Sequence, residues 1–275
     1  MGATKEIKLF NLENGRKVNT INWNFNKLSN LCFNVNDTRI AVVYGSHNSQ
    51  DTVIVKIFDI ASGREIRSFK KYTASPNSFA MNSSLTEILV NYGELKWGKV
   101  ECYSIETGSL IFAKTDFDKC VTSSCYIDND SRILVSEGKS CSILNTSSGA
   151  EVKSFSLANY NGIESKSFGN KPEILSFSYK GYTGELILWD YKTGKTIQRI
   201  DGLGYPGHIC ALSPDNSTIV SFTKSAKVYN VKNIDIWDVA TGKKKGSIEF
   251  TSRCNDIFFS KNGDKIFTVS DVGEI

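Results

Sequence analysis

Residues 186–194 read LILWDYKTG and residues 234–242 read IDIWDVATG, and both stretches follow one nine-residue pattern. The pattern opens on alternating apolar residues, has an aromatic residue (once a leucine) in fourth position and ends on glycine. Four more copies occur, IKLFNLENG at 7–15, VKIFDIASG at 55–63, VECYSIETG at 100–108 and CSILNTSSG at 141–149. Such regular recurrence indicates a chain built from repeats. The ninth residues are Gly15, Gly63, Gly108, Gly149, Gly194 and Gly242, and they lie 41 to 48 residues apart.

A second apolar pattern recurs in register with the first. It has an apolar start, a polar turn and then an isoleucine 24 or 25 residues after the preceding glycine: Ile40, Ile88, Ile133, Ile174, Ile219 and Ile266. In both patterns apolar, β-branched and aromatic residues alternate over four to six positions, which is the period of a half-buried strand. The ninth-position glycine is expected to supply a positive φ in a tight hairpin turn. Each unit is therefore predicted to hold four short antiparallel strands, and helices are predicted to be few.

Six four-stranded units of about 45 residues each are typical of a β-propeller. The predicted fold is all-β, with six four-stranded blades in a single domain that spans residues 1–275. The chain opens on a third strand near residues 7–12 and closes after a second strand at 266–270. The two half-blades are predicted to join as one blade shared between the N- and C-terminal ends. The alternative is a six-unit fragment of a larger propeller.

Three motifs resemble those of the WD-repeat family. Trp189-Asp190 and Trp237-Asp238 each end a strand, Gly207-His208 resembles the dipeptide that opens such a repeat, and Ser-Pro-Asp at 213–215 matches the usual first turn. The resemblance implies a propeller that assembles protein complexes. It also implies an Asp–His–Ser/Thr–Trp hydrogen-bond network inside each blade. Since four of the six units lack Trp-Asp and only one Gly-His occurs, we expect this network to be largely absent.

Composition excludes several classes of protein. The chain has 33 Lys+Arg against 29 Asp+Glu, a formal net charge of +4 that is too mild for a dedicated nucleic-acid binder. No apolar run approaches the roughly 20 residues that cross a bilayer, and the first ten residues do not resemble a signal peptide. The seven dispersed cysteines, without a CxxC motif, indicate free thiols in a reducing compartment. We therefore expect a protein of the cytoplasm, or alternatively of the nucleus, without a membrane partner.

The sequence has no convincing catalytic or metal-binding constellation. The only histidines are His47, in a polar loop, and His208, which the repeat motif explains. The Asp-x-x-Thr-Gly-Lys strings at 190–195 and 238–243 resemble those of quinoprotein propellers but lack the tryptophan that follows them there. The first strands are expected to be almost uniformly apolar, with the sequences LCF, FAM, SCY, KSF, CAL and IFF, which disfavours a polar site in a central channel. No catalytic residue, metal or cofactor is therefore predicted.

Variable loops are the best candidates for function. The longest connections between second and third strands lie at 44–52, 92–99 and 223–233, and the Lys243–Lys245 run is interpreted as a solvated hairpin tip. Aromatic and arginine side chains dominate binding hot spots. The predicted partner-binding residues are Trp23, Tyr72, Trp97, Tyr160, Tyr205 and Arg253, unless these side chains simply pack between blades.

The leading hypothesis is a non-catalytic scaffold for protein–protein interaction. Its alternatives are a propeller enzyme or cofactor-binding protein of the quinoprotein type with a site in the central channel, and a propeller that associates with RNA or the ribosome. The last rests only on the +4 charge and the loop lysines.

Overall fold

The computed structural model shows an all-β chain. It describes residues 5–10, 16–23, 30–34, 36–46, 52–72, 76–94, 96–157, 163–167, 171–180, 183–204, 209–224, 232–250, 254–260 and 262–270. Within these ranges there are 24 strands and no helix, which confirms the prediction of few helices. Accordingly, no helix that could span a membrane occurs in the described part of the chain.

The strands are short, and most have between four and eight residues. Their bounds are β1 Lys5–Phe10, β2 Lys17–Trp23, β3 Asn30–Phe33, β4 Arg39–Ser46, β5 Thr52–Asp59, β6 Glu65–Tyr72, β7 Ser78–Met81, β8 Glu87–Glu94, β9 Trp97–Ser104, β10 Leu110–Phe117, β11 Val121–Ile127, β12 Arg132–Glu137, β13 Ser140–Asn145, β14 Glu151–Ser156, β15 Glu164–Ser167, β16 Glu173–Lys180, β17 Thr183–Asp190, β18 Thr196–Gly204, β19 Cys210–Leu212, β20 Thr218–Lys224, β21 Lys232–Asp238, β22 Lys244–Phe250, β23 Cys254–Phe259 and β24 Ile266–Ser270.

Consecutive strands pair in order and form the predicted four-stranded units. Five sheets have four strands each, β3–β6, β7–β10, β11–β14, β15–β18 and β19–β22. Strands β1 and β2 form a two-stranded sheet, as do β23 and β24. The five complete units confirm the repeat assignment, whereas the count of six blades, with one shared between the two ends, stays a prediction.

The turn between the third and fourth strands is the same in all five complete units. The amide of the repeat glycine donates a hydrogen bond to the carbonyl four residues earlier, at 2.9 Å from Gly63 to Asp59 and 2.8 Å from Gly242 to Asp238. The glycines have φ between +67° and +75°, a region that is costly for residues with a Cβ. The Asp238 carboxylate accepts bonds of 2.8 Å from both the amide and the hydroxyl of Thr241. The aspartate of the Trp-Asp motif therefore caps the turn, and the predicted role of the glycine is confirmed.

The chain divides into two compact units, residues 1–133 with 144–151, and residues 134–143 with 152–275. In the first unit Ile21 packs with Ile40, Val42 and Phe58, and the rings of Phe69 and Tyr103 are 6.0 Å apart. In the second unit, the rings of Phe155 and Trp189 are 5.4 Å apart. Ile21, Phe69 and Phe155 each lie six residues after a repeat glycine. Each therefore packs against the fourth-position aromatic of the next sheet.

The fourth residue after the repeat glycine reaches the turn of the next sheet. Asn19 Nδ2 donates to the Ile60 carbonyl at 2.8 Å, and Gln198 Nε2 donates to the Val239 carbonyl at 2.9 Å. In β22 this position is Gly246, and an added Cβ there would have no neighbour within 4 Å. The sixth position in β22 is Ile248, which is 46% exposed. This face of β22 therefore has fewer packing contacts near Gly246 and Ile248 than the same face of the other fourth strands.

The internal hydrogen-bond network, which was expected to be largely absent, is formed in part in the two sheets that carry Trp-Asp. Trp189 is fully buried and its Nε1 donates to Ser176 Oγ at 2.8 Å, while Trp237 Nε1 donates to Ser221 Oγ at 3.0 Å. The tryptophan–serine half of the network therefore exists in both sheets that carry Trp-Asp, because a buried indole N–H needs an acceptor. His208, the predicted histidine member, lies outside the described residues.

Candidate functional site

Of the six predicted partner-binding residues, Trp97 is the one whose side chain the structure describes. Trp23 and Tyr72 are the last residues of β2 and β6, and their side chains lie outside the described part of the chain. Tyr160, Tyr205 and Arg253 lie outside it altogether. Trp97 therefore defines the candidate site, and the other five residues stay predictions.

Trp97 is the first residue of β9, at the tip of the hairpin that joins the second and third strands of the β7–β10 sheet. It pairs across the hairpin with Glu94, and Gly98 pairs with Gly93. Its side chain is 43% exposed, which makes it the largest exposed hydrophobic residue among those described. Trp189 and Trp237, by contrast, are held within their sheets by the serine bonds described above. Trp97 is thus placed where a partner can reach it.

The hairpin tip is anchored by close backbone contact with the connection that enters β11. A Cβ added to Gly98 would collide with the Lys119 carbonyl, and one added to Gly93 would lie 3.0 Å from Cys120 Cα. Asn77 Nδ2 donates to the Gly93 carbonyl at 3.0 Å and to Cys120 Sγ at 3.2 Å. Two glycines and one asparagine therefore hold the backbone of residues 93 and 98, next to Trp97, against the connection that enters β11.

Trp97 begins a row of side chains along one face of β9. Alternate residues of a strand share a face, so Trp97, Lys99, Glu101 and Tyr103 form this row. Lys99 Nζ lies 4.3 Å from the centre of the Tyr92 ring and 3.0 Å from Glu101 Oε1. Tyr103 OH donates to Glu101 Oε2 at 2.8 Å. The face therefore continues from the exposed indole into a network of aromatic rings and charges.

The preceding sheet contributes a further cation to this network. Lys71, near the end of β6, places its Nζ 5.0 Å from the centre of the Tyr103 ring. Attraction between a cation and an aromatic face is worth about 0.5–1 kcal/mol at exposed sites and more where the pair is desolvated. The row on β9 thus lines the seam between the β3–β6 and β7–β10 sheets, and Trp97 stands at its outer end.

The electrostatics of the seam show which charges are already engaged. Burial raises the pKa of Glu101, but hydrogen bonds from Tyr103, Lys99 and Tyr92 outweigh it, and the net pKa is below the usual range. Burial, together with the bond to Glu101, raises the pKa of Tyr103. The carboxylate and the neutral phenol are therefore the stable forms at neutral pH.

The cysteines of the described residues do not form a reactive site. Six of them are free, and Cys254 is not described in this respect. Burial raises the pKa of Cys32 to about 11 and that of Cys102 to about 12, so both thiols stay protonated near pH 7. Among the described residues there is no cluster of three His, Cys, Asp or Glu side chains that could hold a metal ion.

The prediction of uniformly apolar first strands is wrong for two sheets. β15 is Glu164–Ser167 rather than KSF at 166–168, and Phe168 lies outside the described residues. β11 carries Thr122, Ser123 and Ser124. Some of these polar groups bond to neighbouring strands, since Ser124 Oγ accepts from Asn91 Nδ2 at 2.8 Å. Hydrogen bonding between strands satisfies such serines without a ligand.

The lysine run near the end of the chain is partly engaged within its own sheet. Lys244 Nζ lies 2.6 Å from Asp235 Oδ1, and Lys245 Nζ lies 3.0 Å from Asp238 Oδ2. Because two of its three lysines are paired with aspartates, this run is not a free phosphate-binding cluster.

Sequence reasoning missed the seam residues Lys71, Lys99 and Tyr92. A weak signal was present, because Trp97, Lys99, Glu101 and Tyr103 have the spacing of one strand face. Strand periodicity could not predict the role of Lys71, because Lys71 contacts Tyr103, which is 32 positions away and lies in the neighbouring sheet.

Comparison with solved structures supports the propeller fold, whereas comparison with known sequences finds no match. No protein-family model matches the sequence, and no curated protein is similar to it. One chain of the crystal structure of the mitotic checkpoint complex matches it with a TM-score of 0.72 and 12% identity, covering 98% of this chain and 80% of that one. The match and the repeated four-stranded antiparallel sheets together fit a WD-repeat propeller.

The chain therefore has the fold of a WD-repeat β-propeller, and the resemblance noted in the sequence is confirmed at the level of fold. At 12% identity the likeness extends no further than that. In all, 1218 chains of solved structures match, so the fold by itself is too widely shared to select a function.

Proposed function

We propose that this chain is a non-catalytic platform for protein–protein interaction. The observation that carries the proposal is the 43% exposure of Trp97. This indole lies on a hairpin whose Gly93 and Gly98 are in close contact with the connection that enters β11. Rigid aromatic anchors give binding energy at a low cost in conformational entropy, which is why tryptophan is enriched in hot spots. The fold of a chain in the mitotic checkpoint complex, a protein assembly, supports the same class of function.

We further propose that the propeller has six blades, the sixth assembled from β1–β2 and β23–β24. The first pair carries the third- and fourth-strand pattern and the second pair carries the first- and second-strand pattern. The place of action proposed for the protein is the cytoplasm or nucleus, where free thiols persist.

Quantitative affinity capture from the native cell tests the proposed function. The bait is the full chain, compared with a variant in which Glu94–Trp97 is replaced by Asn-Gly, a two-residue turn that keeps the Gly93–Gly98 pair. Leu110→Ser is the matched control, because Leu110 is an equally exposed apolar residue of the same sheet at its opposite end. We expect at least one protein to be captured by the wild type and the control and lost with the shortened hairpin.

Each candidate partner is then purified and its binding to the wild type is measured directly. A wild-type chain that captures no protein above the background of an unrelated bait would contradict the proposed function. Catalytic turnover by the purified chain, abolished by a single substitution, would contradict its non-catalytic part.

A further inference from the structure

The seam patch comprises Tyr92, Trp97 and Lys99 of the β7–β10 sheet, Lys71 of β6, and Lys96 at the hairpin tip. Trp97 and Lys96 are exposed, and Lys71 and Lys99 are half-buried. The patch runs from the hairpin tip along the seam between two neighbouring sheets. Its members come from both sheets, so a ligand lying along the seam touches both of them at once.

The patch pairs one large apolar group with an excess of positive charge. The sequence of residues 94–101 together with Lys71 has three lysines and two glutamates, and Glu101 is the glutamate whose side chain the structure describes. Glu101 is already bonded by Lys99 and Tyr103, at 3.0 and 2.8 Å. No ion pair within the described residues involves Lys71 or Lys96. The charge that remains for a partner is therefore positive.

Lys71 and Lys99 are held in place by aromatic rings. Each ammonium group lies over a tyrosine, at 5.0 and 4.3 Å from the ring centre. Ordering a long lysine side chain normally costs up to about 2 kcal/mol of rotamer entropy. Because the tyrosines have already restricted these side chains, an anion that meets them loses less binding free energy to ordering.

We infer that the seam patch binds an acidic, extended peptide segment of a partner protein, with one apolar side chain of that segment against Trp97 and carboxylates near Lys71 and Lys96. The inference rests on the proposed function and names the partner class for the same site. Three lysines are too few for the many phosphate contacts on which RNA affinity depends, so a protein segment is favoured.

Selection from a random library of nine-residue displayed peptides tests the inference without prior choice of sequence. The wild-type chain is the target, and peptides retained by the bare support are removed by counter-selection. We expect the recovered peptides to be enriched in Asp and Glu around a central Phe, Leu or Trp. A consensus peptide is then synthesised with a fluorescent label, and its affinity is measured by anisotropy at low and high salt.

Matched variants assign the binding to the patch. Trp97→Ala should weaken the consensus peptide by about tenfold or more, as expected for a hot-spot aromatic. Lys71→Gln should weaken it by roughly threefold and reduce its salt dependence. Lys195→Gln, in the turn between β17 and β18, and Leu110→Ala are exposed positions outside the patch and should leave the affinity unchanged. Thermal melts of all variants verify that each remains folded.

Several results would overturn the inference. These are a consensus without acidic residues, equal affinity for Trp97→Ala and wild type, the recovery of no peptide at all, or tighter binding of a uridine homopolymer than of the consensus. If the affinity capture described above still finds partners that depend on the hairpin, only the acidic-peptide inference fails. If that capture fails as well, the proposed function fails with it.

Discussion

Gly108 and Gly149 occupy the same turn position in neighbouring sheets, yet their surroundings differ. Their φ values are +70° and +69°. A Cβ on Gly108 would have no neighbour within 4 Å, whereas one on Gly149 would lie closer than 3.0 Å to the ring of Phe112. Gly108 is therefore required by its backbone conformation alone, and Gly149 both by conformation and by the aromatic ring that lies against it.

Alanine substitution separates these two requirements. Gly108→Ala should lower the free energy of unfolding by about 1–2 kcal/mol, the cost of a left-handed residue. Gly149→Ala should lower it by roughly 1–3 kcal/mol more, because Phe112 must move. Urea unfolding of both variants measures the difference. Equal losses would show that the ring of Phe112 does not cover Gly149.

Asp238 provides a second residue-scale test, through pH. Bonds from Lys245 and then Thr241 lower the pKa of Asp238 from 3.8 to about 2. Since the folded-state pKa lies below the unfolded value, the stabilisation is complete above about pH 4 and is lost as pH falls towards 2. Urea midpoints between pH 2 and pH 5 should fall less steeply for Asp238→Asn than for the wild type.

Asp215 offers a comparison within the same sheet. Bonds from Ser213 and Ser217 lower its pKa to about 2 as well. The double variant with Asn at 215 and 238 should therefore show a flatter profile than either single variant. Parallel profiles for wild type and all variants would mean that these carboxylates are not bonded in solution.

At the scale of elements, the tryptophan–serine bonds join second and third strands. Ser176 and Trp189 are both fully buried, and Ser176 Oγ also contacts Ser165 Oγ at 2.7 Å. Ser176→Ala leaves a buried indole N–H without its acceptor and should cost about 1–3 kcal/mol. Ser221→Ala should cost less, because Trp237 is only half-buried and water can replace the serine. Chemical unfolding of the two variants checks the order, and a reversed order would contradict this account.

The strands could largely be predicted from the sequence, because the repeat isoleucine and glycine mark each unit and alternation marks each strand. β15 was misplaced, since its ESKS sequence lacks the apolar alternation that identifies a strand. Trp97 was predicted as an exposed anchor because it lies in a loop of variable length. The lysine over Tyr103 was not predicted, because a contact between sheets leaves no local pattern. The lysine over Tyr92 was not predicted either, because residues 92–99 were interpreted as a loop rather than as paired strands.

At the scale of the whole molecule, the proposed sixth blade requires the two two-stranded sheets to pair with each other. β22 has Gly246 where other fourth strands have a side chain that reaches the next turn, and Ile248 is exposed where its counterparts are buried. This face is therefore expected to be the least tightly packed seam of the propeller. A platform made from repeats depends on such contacts between neighbours for its rigidity.

Electron paramagnetic resonance with one nitroxide at Thr20 in β2 and one at Thr268 in β24 tests this claim most directly. Labels introduced on ketone-bearing non-natural residues leave the seven cysteines intact. In a shared sixth blade, β2 and β24 are two strand spacings apart, about 10 Å. We predict dipolar broadening in the doubly labelled chain that neither singly labelled chain shows. A doubly labelled spectrum equal to the sum of the two single spectra would contradict the shared blade.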